Sequence, residues 1–119
     1  LSAVGIDRGP SAARKYTPRT ADELVAEWKA NPAAAAERYK EEGVELRGRL
    51  HEIASNIYGQ TYIDVRGSGR DGTHIFVVSE RAKRGLARCK VGAPCVVKAR
   101  AEGSAHREPW LVADDVEPD

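Results

Sequence analysis

Three glycines, Gly67, Gly69 and Gly72, stand in the stretch DVRGSGRDGTHIF at the spacing G-x-G-x-x-G. A loop of that spacing can wrap a nucleotide pyrophosphate when a strand precedes it and a helix follows, because the free amides and dipole of the helix then meet the phosphates. Here a strand-like segment precedes the glycines, but THIFVVS after them is β-branched and strand-like as well. No acidic residue follows at the distance where a ribose would be read; Cys89 and Lys90 occupy that region. The segment therefore reads as a hairpin loop, whose glycines would supply positive φ for reversing the chain.

The remaining reactive side chains form no constellation. His51, His74 and His106 fall on three separate elements, with no pair at metal-ligand spacing. Cys89 and Cys95 match no zinc spacing, and a structural zinc needs four ligands. In an oxidising compartment these two could join as a disulfide; in a reducing one they would sit as small buried hydrophobes. Ser68, between two glycines, lacks the strand-to-helix elbow of a hydrolase nucleophile. The expectation is a protein without catalytic residues, metal or cofactor: a binding protein rather than an enzyme.

Residues suited to binding are easier to find. The net charge is only +1, but it is unevenly spread. Between Arg66 and Arg107 ten Lys and Arg face three acids, an excess of +7, whereas the last twelve residues hold five acids and no base. One positive surface would follow, or else a merely solvated face. Tyr62 takes the polar parity of its segment, alongside Asp64 and Arg66, where an aromatic has no packing reason to lie. The candidate ligand face is Tyr58, Tyr62, Arg66, Arg70, Lys98, Arg100 and Arg107, with His106 beside the last.

The elements that must hold these residues follow from periodicity. Residues 1–19 mix Gly, Pro, Ser and scattered basic residues without a period and read as a flexible lead-in. The chain contains no Met and starts at Leu1, as expected of a processed or trimmed product, with any signal or lipid anchor lying upstream. Thr20 and Glu23 make a capping box for a short helix in which Leu24 and Trp28 share a face. Asn31 and Pro32 start a second helix anchored by Tyr39, for which Gly43 is the expected stop. The two helices span residues 21–42.

After Gly43 the period changes to two. VELRGRLHEI alternates as a half-buried strand, with a bulge expected near residues 51–53 and a bend at Gly48. TYIDVR, THIFVVS, CVVKARAE and PWLVADDV supply four more strands. The basic stretch ERAKRGLARCKVGAP lies between the third and fourth and has room for one or two helical turns. Cys95 has the parity of Val97, Ala99 and Ala101, the buried face. The outcome is one domain over residues 20–117, mainly β: a five-stranded OB-fold barrel carrying two short N-terminal α-helices.

The stretch ADELVAEWKANPAAAAERYKEEGVELRGRLHEI resembles the bacterial tRNA-anticodon-like (tRNA_anti-like) OB-fold family, through Leu24, Asn31, Ala35, Ala36, Tyr39, Val44, Leu46 and Gly48. Gly92, Val96 or Val97, and Gly103 match the fourth strand of the same family, so the resemblance spans roughly residues 21–116. KEEG stands where that family often has Gly-Lys before its first strand. The resemblance implies a fold more than an activity. On such a barrel the expected function is that of a non-catalytic binding module, an interaction domain of a bacterial envelope or multi-subunit complex, with a protein or glycan on the barrel face. Its alternative is a protein that binds single-stranded nucleic acid. Localisation leans to the cell envelope or periplasm, with the cytoplasm as the alternative.

Overall fold

The computed structural model describes residues 15–102 and 108–119. Nine elements follow one another: β1 (Tyr16–Thr20), α1 (Ala21–Ala30), α2 (Pro32–Glu41), β2 (Gly43–Ser55), β3 (Thr61–Arg66), β4 (Gly72–Phe76), α3 (Glu80–Leu86), β5 (Pro94–Ala101) and β6 (Trp110–Pro118). The protein is mainly β, with three helices among the described residues, and its sheet closes on itself in a ring.

The helices begin where local chemistry satisfies their free amides. Thr20 Oγ1 accepts from the Glu23 amide at 3.1 Å while Glu23 Oε1 accepts from the Thr20 amide at 2.8 Å. Such a cap contributes about 0.5–2 kcal/mol. Asn31 Oδ1 accepts from the Ala34 amide at 3.1 Å, with Pro32 in the first turn of α2. Gly43 does not end α2 as expected. Glu42 caps the helix in an extended conformation, and Gly43 is the first residue of β2. Its missing side chain makes room for the Tyr16 ring, since a Cβ there would lie 2.6 Å from Tyr16 Cε1.

Strand β2 organises the sheet. Its first half pairs in parallel with β1 (Tyr16 with Gly43, Thr20 with Arg47) and antiparallel with β5 (Val44 with Ala99), so the two partners take opposite edges. Its second half pairs with β3, and the register skips His51 between Leu50 and Glu52, the bulge expected there. From β3 the ring runs to β4, then β6, then β5, and back to β2. The parallel pairing of β1 with β2 needs a crossover, which α1 and α2 supply. Val44, Leu46, Leu50, Ile63, Val65, Ile75, Val97 and Leu111 point inward and are buried with Leu24, Trp28 and Tyr39 in one core.

Two expectations are corrected. Among the described residues there are six strands rather than five, although five of them form the ring, and the first of them begins at Tyr16, before Thr20. Residues 16–19, placed in the flexible lead-in, belong to β1; the rest of that lead-in lies outside the described residues apart from Lys15. Strand β1 carries almost no aliphatic period for a sequence reading to detect. It is held instead by its ladder, by the Tyr16 ring over Gly43, and by the Tyr16 hydroxyl donating to Asp114 Oδ2 at 2.7 Å. Pro18 is tolerated because β1 has no further strand beside it among the described residues.

Candidate binding face

Alternation along β3 turns Ile63 and Val65 into the core and leaves Tyr62, Asp64 and Arg66 on the outer face. Register then sets what stands beside them. Tyr62 is opposite Phe76 and Asp64 opposite His74; on the next strand His74 is opposite Trp110 and Phe76 opposite Val112. Four rings from three strands thus share one outward patch. His74 and Trp110 stack with centroids 4.7 Å apart, and Phe76 lies 5.1 Å from Trp110. Tyr62 meets His74 and Phe76 edge-on at 6.4 Å. All four rings are half-buried, so each keeps surface open to a ligand.

Polar contacts fix this platform from below and from its rim. Asp64, only 3% exposed, accepts from Arg66 Nε at 3.0 Å and Nη2 at 2.9 Å through Oδ2. Its carboxylate fills the space that a side chain at Gly72 would need, where a Cβ would lie 2.7 Å from Asp64 Cγ. His74 Nε2 lies 2.9 Å from Glu108 Oε2. Asp64 Oδ1 and His74 Nδ1 are buried without a hydrogen-bond partner among the described residues.

The residues expected at a ligand face do not all converge. Tyr62 and Arg66 belong to the platform. Arg100 adjoins it across Val112, its register partner on β6, and its guanidinium pairs with Glu102 and with Asp114 Oδ1 at 3.3 Å. Tyr58 is 80% exposed at the tip of the β2–β3 hairpin, beside Ile57. That turn is braced from within: Asn56 Oδ1 accepts from the amides of Tyr58 and Gln60 at 2.9 and 3.0 Å. Arg70 is exposed in the β3–β4 turn, at the opposite end of β3 from Tyr62. Lys98 sits over the Tyr16 ring at 5.7 Å. Arg107 and His106 lie outside the described residues.

His74, Phe76 and Trp110 are the residues that sequence reasoning missed. THIFVVS is apolar on both faces, so its phase could not be set without its pairing to β3. The outward parity of Tyr62 was the one available signal.

The basic excess does not form a single stripe beside the tyrosines. Arg81, Arg84 and Arg88 line a groove of about 670 Å³ whose other wall includes Asp115 and Glu117. Helix α3 and the acidic end of β6 therefore face one another, and the two opposite charge runs of the sequence compensate in space.

The glycine loop does hold an anion, but that anion is the protein's own. Asp22 accepts from the Ser68 amide at 3.0 Å, the Ser68 hydroxyl at 2.7 Å and the Gly69 amide at 3.3 Å. The Ser68 amide first, then the Ser68 hydroxyl and the Gly69 amide, hold the Asp22 carboxyl below its ordinary value. Positive φ, expected of these glycines, occurs among the described residues only at Gly59 and Gly92. Gly67 serves close approach instead, since a Cβ there would lie 2.7 Å from Asp22 Oδ2.

Both cysteines are free thiols. Cys95 is buried at the start of β5, as its parity predicts, whereas the Cys89 thiol donates to the Gly85 carbonyl at 3.5 Å. Burial raises both thiols, Cys95 to about 12.

No family model matches the chain, and no curated protein matches it. Among solved structures it is similar to one from Klebsiella pneumoniae named "putative nucleic acid-binding lipoprotein", with a TM-score of 0.63. The two are 17% identical over 79% of this chain and 87% of the other. That likeness shows a shared fold. Among the described residues no helix is long and apolar enough to cross a membrane.

Proposed function

We propose that the chain is a non-catalytic OB-fold module that binds a single strand of nucleic acid on the ring platform of β3, β4 and β6. The ring order β2-β3-β4-β6-β5 is that of a five-stranded OB-fold once β1 is set aside as an added edge strand. In such folds the second and third strands, with the loops joining strands 1–2 and 4–5, take the ligand. Those elements here are β3 and β4, the Asn56–Gln60 turn and the β5–β6 connection. The observation that carries the reading is the four-ring patch at that place, because successive unpaired bases stack on such rings whatever their sequence. The Klebsiella protein's name agrees with it.

A labelled oligonucleotide and fluorescence anisotropy test the proposal. Trp110→Ala should weaken binding by about 1–3 kcal/mol and leave the salt slope unchanged. Arg66→Ala should instead flatten the slope by at most about 0.7, since a phosphate would share Arg66 with Asp64. Wild-type protein that binds no oligonucleotide at low salt refutes the reading.

A second reading, an interaction domain of an envelope or multi-subunit complex, has one observation in its favour. The cations beside the platform are already committed, Arg66 to Asp64 and Arg100 to Glu102 and Asp114. A peptide or glycan on the same rings would then bind with little dependence on salt. The tRNA-anticodon-like resemblance and an envelope location belong with either reading.

A further inference from the structure

Beside the platform lies a recess of about 190 Å³ lined by Phe76, Trp110, Leu111, Val112 and Glu102. It is smaller than the roughly 300–1,000 Å³ that encloses a drug-sized ligand, so it suits one ring system rather than a longer guest. Among the described residues its walls are apolar except at the rim, where the exposed Glu102 carboxylate pairs with Arg100. We infer that this recess takes a single unpaired base and that Glu102 selects bases bearing an exocyclic amino group. The inference rests on the single-strand reading above.

The rim chemistry decides between guests. Arg100 lies between two carboxylates, Glu102 and Asp114, so it has little charge to spare for a phosphate. Glu102 is countered by Arg100, so a Lys or Arg side chain entering the recess would have to compete with a cation already in place. What the rim still offers is lone pairs on the exposed side of the Glu102 carboxylate. A neutral ring whose amino group donates to a carboxylate meets that need, as cytosine N4 does with Glu or Asp in base recognition. Thymine places a carbonyl oxygen at the corresponding position, acceptor against acceptor, and leaves both groups unpaired. Phe76 and Trp110, tilted by 30° with centroids 5.1 Å apart, form the wall against which either ring would lie.

The test compares oligo-dC with oligo-dT of equal length, two pyrimidines of the same ring size, by anisotropy titration at fixed salt. Wild-type protein should prefer dC by about tenfold. Glu102→Gln can turn its amide to either partner, so the ratio should fall towards one. Loss of a negative charge would strengthen both strands alike and leave the ratio untouched, which makes the ratio the deciding readout. Equal wild-type binding of dC and dT, or a preference that survives Glu102→Gln, overturns the pocket while the single-strand reading stands. No binding of either strand overturns both. An arginine-rich peptide whose binding needs Glu102, where oligonucleotides fail, also overturns the inference and favours a protein partner.

Discussion

Replacing Gly85 by alanine sets two physical effects of opposite sign against each other. Gly85 lies within α3, one residue before its last, so helix propensity alone predicts that Ala stabilises by about 0.8–1.0 kcal/mol. Packing predicts the reverse. A Cβ at Gly85 would lie 2.8 Å from the Val116 carbonyl carbon and closer still to its oxygen. Carbon atoms in contact rest about 3.5–4.0 Å apart, so the carbonyl carbon alone demands roughly 1 Å and the oxygen more. The obstacle is backbone, and Val116 is fixed in the β5–β6 ladder opposite Val97, so no side chain can swing aside. Helix α3 would have to lift from β6 and uncover Ala82 and Leu86, both buried. Overpacking of this kind costs about 1–3 kcal/mol, and a backbone clash belongs at the upper end. After the propensity gain, Gly85→Ala should destabilise by about 2 kcal/mol. Urea unfolding followed through the buried Trp28 would show it as a lower midpoint at constant m. An unchanged or higher midpoint would refute the reasoning and mean that α3 is not held against β6.

Two further predictions concern titratable groups. Asp22 has a depressed carboxyl, so its contribution is present above the ordinary 3.8 and is lost as pH falls through its folded value. The gap in melting temperature between wild type and Asp22→Asn should therefore be open at neutral pH and close in acid; a gap independent of pH would show that the carboxylate's charge does not matter. Cys95, raised to about 12 by burial and then by Cys89 and Asp119, should resist a thiol reagent at pH 8 until denaturant is added. Two thiols reacting rapidly in native protein would place Cys95 at the surface.

What was legible in the sequence is what short-range chemistry fixes. Thr20 with Glu23, and Asn31 with Pro32, mark helix starts because the bonds they make lie within one turn. The His51 bulge showed as a break in parity. Strand β1 was not legible, since five residues without an aliphatic period are held by partners far along the chain, Gly43 and Asp114 among them. The binding patch was half legible for the same reason. Tyr62 betrays itself by parity, but His74, Phe76 and Trp110 become its neighbours only through register. Charge misled in the opposite way: the basic run through α3 and the acidic end of the chain are separate in sequence and opposed in space.

Closure of the sheet has a consequence for how quickly the protein reaches this state. Val44 must find Ala99, and His74 must find Trp110, before the ring exists. Neither pairing can be made by a local hairpin, so chain entropy is lost before those pairings return anything. Folds dominated by such pairings form in about milliseconds to seconds rather than microseconds. Within that interval the β2–β3, β3–β4 and β5–β6 hairpins are the units able to form from local pairings. Until β6 arrives beside β4, Trp110 is absent and the ring patch is incomplete. Its last component is therefore delivered by the slowest class of step in folding, and a nascent or partly unfolded chain would lack the surface on which a ligand could stack.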